Sequence, residues 1–117
     1  MRVIRSEKQQ KALDYALNYI ENSVLKPYIA AVYLFGSCAR GEEHFDSDVD
    51  LLVEFTEDFE EHKKDFRKDI LLLRSNISSD ELHDAETDLK IVIGKEWENS
   101  KMFFYKDIRK EGINVWH

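Results

Sequence analysis

The chain has 117 residues, 43% of them hydrophobic and 12% aromatic, with a formal net charge of −7 from 17 basic and 24 acidic residues. This length predicts one domain over residues 1–117, large enough to remove roughly two thirds of the unfolded surface from water, with a globular rather than disordered composition. The acidic balance excludes a broad surface for long nucleic acid; no apolar run reaches the roughly 18 residues that cross a bilayer, so no membrane partner is expected; and one cysteine, Cys38, permits no internal disulfide, which points to the cytoplasm.

From Glu7 to Leu25 the residues Leu13, Ala16, Leu17, Ile20 and Val24 recur at helical spacing, with Ser6 as a cap and Pro27 as the stop. Ile29 to Phe35 is apolar, β-branched and aromatic, reads as a buried strand and ends at Gly36-Ser37. Asp48 to Phe55 opens with polar and apolar residues in alternation, a second strand. Phe59, Phe66, Ile70, Leu73 and Ile77 mark one face of a second long helix, with Lys63, Lys64, Arg67 and Lys68 mostly on its wet side. A polar loop, Ser75 to Ala85, leads to a third strand, Thr87 to Ile93, closed by Gly94. Trp97 to Lys110 reads as a last helix, and Ile113 to Trp116 offers a short edge strand. The loop of about twelve residues between the first two strands is too short for a crossover helix. The fold class is therefore α+β, a small mixed β-sheet with helices packed on it.

Chemistry concentrates in Leu34-Phe35-Gly36-Ser37-Cys38-Ala39-Arg40-Gly41 and in Asp46-Ser47-Asp48-Val49-Asp50. Glycine at a strand end lets the backbone turn sharply and approach a ligand. Ser37 adds a hydroxyl and an amide at the start of a short helix, where a phosphate oxygen fits, although the same geometry serves a plain helix cap. Asp48 and Asp50, two apart on a strand, leave one face about 6.6 Å apart at Cα. Two carboxylates at about 5 Å repel by about 3 kcal/mol at an effective dielectric near 20. A magnesium ion removes that cost, being suited to a few carboxylates plus substrate phosphates. Asp88 opens the third strand and joins the cluster if that strand lies beside the second; Asp80, Glu81, Asp84 and Glu86 compete for the place. Three carboxylates around two magnesium ions suit in-line displacement at phosphorus, with Asp88 as ligand or base.

This pairing of a Gly-Ser loop with Asp-x-Asp resembles the signature of the polymerase β-type nucleotidyltransferase superfamily. Its form here, Gly-Ser-x-Ala-Arg-Gly with Ser-Asp-x-Asp-Leu, is most similar to the minimal nucleotidyltransferases, over about Val32 to Ile93. The resemblance implies that Gly36 and Ser37 hold a triphosphate, that Asp48 and Asp50 bind metal, and that a carboxylate of a later strand, for which Asp88 is the candidate, completes the site. It also implies a HEPN-domain helical protein as partner, with AMP passing from ATP to a tyrosine of that toxin, so that the chain is its antitoxin. Two rivals stand beside this: a non-catalytic binding module that covers its partner, and a small-molecule nucleotidyltransferase built at a homodimer interface. Arg40 either neutralises the triphosphate or ends a helix in a salt bridge, and Cys38 is either incidental or a redox-sensitive thiol. His44, His62, His83 and His117 lack zinc spacing. Tyr15 and Tyr19, and Met102, Phe103, Phe104, Tyr105 and Ile108 on the last helix, either fill the core or face a protein partner.

Overall fold

The computed structural model describes residues 2–117; the side chain of Phe104, assigned above to the apolar surface of the last helix, lies outside the described residues. Ile29–Phe35 (β1) and Val49–Phe55 (β2) are apolar on nearly every position and form the centre of the sheet. The short link between them forces an antiparallel pair, with Val32 opposite Val53 and Phe35 opposite Asp50. After β2 the chain has room for Phe59–His62 (α3) and Arg67–Asn76 (α4), so Thr87–Ile93 (β3) returns parallel to β2, with Asp50 beside Asp88. Ile113–Asn114 (β4) adds to the other side of β1, giving the order β3-β2-β1-β4. The sheet is mixed, as the short β1–β2 loop requires.

Alternation along the strands separates two cores. Leu34, Leu51 and Val53 belong to the larger one, beneath the buried Leu13, Ala16 and Ile20 of Glu7–Glu21 (α1) and Leu73 of α4. Phe35 and Leu52 belong to the smaller one, closed by Trp97 and by Ile108 of Phe103–Glu111 (α5). Each fully buried aliphatic side chain contributes about 1.5–3 kcal/mol, so the two-sided sheet is the main source of stability.

Three helix assignments need correction. α1 ends at Glu21 rather than running to Leu25: the Asn22 side chain donates to the Asn18 carbonyl at 2.8 Å, and Pro27 lies in a 3-10 turn, Lys26–Tyr28. Val24 is therefore exposed, and Ser6, though at the cap position, bonds Gln9 Oε1 instead of a helix amide. The long second helix is two, α3 and α4. On a straight helix Phe59 and Phe66 stand two turns, about 10 Å, apart, whereas both rings meet Tyr28, at 5.3 and 5.2 Å between centroids. The last helix also divides, into a 3-10 turn, Glu96–Asn99, and α5. Arg109 holds the break by donating to the carbonyls of Trp97 and Ser100 at 3.0 and 2.9 Å.

Candidate active site

Gly36 leaves β1 at φ 77° and ψ −158°, and Ser37–Arg40 (α2) follows as one helical turn, closed by Gly41 at φ 72°. Amides of Ala39 and Arg40 donate to the Gly36 carbonyl at 3.1 and 3.2 Å, and Glu42 N donates to Ser37 O at 2.9 Å. The turn thus holds Ser37 at its open end, immediately after the strand. A side chain at position 36 is excluded twice over. The backbone lies where only glycine is comfortable, and a Cβ there would sit 2.3 Å from Oδ2 of Asp50. The Asp50 carboxylate therefore lies directly against the glycine.

Asp50 is half-buried in β2, and its pKa is pushed up to about 6 by burial first, then by Asp88 and Asp48; Lys90 and Arg40 act in the opposite sense. Asp48 and Asp88, the other two carboxylates that the sequence nominates, are thus each close enough to oppose the charge of Asp50. Their settings differ. Asp88 stands in register with Asp50 on β3, exposed, with Lys90 Nζ 3.6 Å from its Oδ2. Asp48 precedes β2, which begins at Val49, so strand alternation does not place it as the sequence suggests. Its position is set from outside: the buried Gln9 of α1 donates through Nε2 to the carbonyls of His44, Phe45 and Ser47, at 3.1–3.2 Å. The Cys38 thiol donates to the Asp48 carbonyl at 3.4 Å. Among the described residues no three His, Cys, Asp or Glu groups are already gathered in a metal-holding arrangement.

Arg40 forms ion pairs with Glu42 and, at 2.8 Å, with Glu111 at the end of α5, the salt-bridge alternative of the two weighed above. Cys38 is buried, and burial followed by Glu43 and Asp50 pushes its thiol up to about 11, against the redox-sensitive reading. Two residues at the site escaped the sequence reading. Lys90 shares the face of Asp88 through the alternation Asp88-Leu89-Lys90, a signal present but unused. Gln9 left no signal, because a buried glutamine in an amphipathic helix looks like any solvated one.

A family model for polymerase beta nucleotidyltransferases matches residues 18–117. No curated protein matches the chain. Among solved structures, the chain is similar to a "putative nucleotidyltransferase" from Sulfolobus solfataricus, with TM-score 0.52 and 22% identity over 94% of this chain and 84% of that one. A toxin-antitoxin structure with AMP-PNP matches at TM-score 0.49 and 19% identity, over 88% of this chain and 71% of that one. The first of these is a likeness of fold.

Proposed function

The chain belongs to the polymerase beta nucleotidyltransferase family, and from that premise we propose that it moves AMP from ATP to a hydroxyl of a partner protein. The observation that carries the reading is the packing of the Asp50 carboxylate against Gly36, with Asp88 in register beside it. That packing puts the proposed phosphate turn and the carboxylates in one place. The donor set is hard oxygen, and burial, followed by the charges of Asp88 and Asp48, raises Asp50 to about 6; both properties fit magnesium, which Asp48, Asp50 and Asp88 would hold. Bound there, two magnesium ions would neutralise the triphosphate and acidify the acceptor hydroxyl.

The chain's own groups have separate tasks. The Ser37 hydroxyl and the amides at the very start of the α2 turn, ahead of those of Ala39 and Arg40, hold the triphosphate, with Gly36 admitting it close to the backbone. Asp88, exposed on β3, takes the proton of the acceptor hydroxyl. The acceptor oxygen forms its bond to the α-phosphorus as the bond to the β-phosphate oxygen breaks, and pyrophosphate leaves. Arg40, tied to Glu42 and Glu111, keeps positive charge near Asp50 and reaches a triphosphate only by releasing those partners. The form of the Gly-Ser-x-Ala-Arg-Gly motif supports the minimal-nucleotidyltransferase assignment. We therefore name a cytoplasmic HEPN-type toxin as partner, its tyrosine as acceptor, and antitoxin as the biological role.

The test is label transfer in lysate of the source organism, with magnesium and ATP labelled at the α- or γ-phosphate. A protein band labelled only from the α position, and lost with Asp50→Asn, is the expected result. Label confined to a low-mass product would instead support the homodimeric small-molecule enzyme. One observation favours a binding module as second reading: Met102 and Phe103 at the start of α5 are 56% and 85% exposed. On that reading Asp48→Asn/Asp50→Asn still protects cells carrying the toxin, whereas Phe103→Asp does not.

A further inference from the structure

Outside the candidate site, the most distinctive surface is the outer side of α4. Residues 63–74 hold five basic and two acidic side chains in a chain whose net charge is −7. Lys63, Lys64 and Arg67 border a groove of about 300 Å³ floored by Ile70 and Leu71. Lys63 is paired with Glu60, but among the described residues no ion pair engages Lys64 or Arg67. Leu71 and Leu72, at the middle of α4, are 60% and 42% exposed. The loop after α4 has the opposite character. Residues 79–86 contain Asp80, Glu81, Asp84 and Glu86 with no lysine or arginine, and Leu82 among them is 89% exposed. Lys11 pairs with Glu81 and Asp84 of this loop.

We propose that α4 is the interface of a symmetric homodimer, in which the basic groove of each copy receives the acidic Leu82 loop of the other. The basic cluster precedes the centre of α4 and the acidic loop follows its end. A two-fold axis at Leu71 and Leu72 therefore sets unlike charges together at both ends and the exposed leucines together in the middle. Such an isologous arrangement closes on itself, so it yields dimers rather than filaments. Exposed leucines at the centre with charges around them follow the usual apolar core and polar rim. Opposed charges also give the pairing its register, and weaken it as salt rises. The Leu82 loop enters β3 just before Asp88, whereas the basic groove and the exposed leucines of α4 include none of the candidate site residues.

The test is the solution mass by light scattering, at about 100 μM protein and low salt. Wild type is expected at twice 13.9 kDa, falling toward the single-chain mass in molar salt. Lys64→Glu/Arg67→Glu and Asp80→Lys/Glu81→Lys should each be monomeric, with circular dichroism reporting the retained fold. Mixing these two variants, or combining all four changes in one chain, should restore the dimer, since each reversed groove then meets a reversed loop. A wild-type monomer throughout, or a dimer indifferent to either reversal, overturns the proposal; the first outcome would assign the groove to a different acidic protein. Failure of both restorations overturns the charge pairing as the basis of recognition. Asp50→Asn should stay dimeric, so this result is independent of any transfer activity.

Discussion

Above pH 6 the Asp50 carboxylate is ionised while half-buried and flanked by Asp48 and Asp88, a state that costs free energy in the absence of a cation. Its folded pKa, about 6, lies above the ordinary 3.8. Between those values the folded chain binds more protons than the unfolded one, so stability falls as pH rises through the window. Asp50→Asn should then raise the melting temperature at pH 8 by the equivalent of about 1 kcal/mol, after discounting for solvent screening, and change little at pH 4; thermal unfolding across pH checks both ends. Gly36→Ala should act in the other direction. The positive φ and the clash with Asp50 Oδ2 predict a loss of about 1–3 kcal/mol, together with loss of transfer, readable by denaturant unfolding and by the label assay. Cys38, raised from 9.0 to about 11, holds roughly a hundredfold less thiolate than an ordinary cysteine at pH 8. Alkylation should be correspondingly slow until the chain is unfolded.

Elements of this chain are positioned by a few buried polar contacts, and those were the hardest to anticipate. Gln9 reaches from α1 to three carbonyls of the loop before Asp48. Gln9→Leu should leave the core intact but free that loop, lowering transfer at least tenfold while circular dichroism stays unchanged. Glu54, almost fully buried, accepts from Trp97 Nε1 at 2.8 Å and meets Lys95 at 3.3 Å. Trp97→Phe removes one of those partners and should cost about 1–3 kcal/mol beyond its small change in packing. The strands were legible because a buried strand is a local pattern, and the turn at Gly36 because its backbone demands glycine, whereas Asp48, which its spacing put on the strand, precedes β2. The breaks between α3 and α4, and before α5, were not. They depend on Phe59 and Phe66 both meeting Tyr28, and on Arg109 folding back to Trp97. These contacts join residues whose spacing alone suggests one continuous helix.

At the scale of the whole molecule, sheet order decides the chemistry. With β3 parallel to β2, Asp88 falls beside Asp50; an intervening strand would have separated them. Antiparallel pairing of β1 and β2 brings the Gly36 turn to the same end of the sheet. The central claim is that this junction is a site for a divalent cation and a nucleotide. It is tested most directly by melting wild type and Asp50→Asn at pH 7.5, with and without magnesium and a non-hydrolysable ATP analogue. The account predicts that the variant melts higher in metal-free buffer, that magnesium with the analogue raises wild type by several degrees, and that the variant does not respond. An equal rise in both proteins, or no rise in wild type with the variant melting lower throughout, would contradict it.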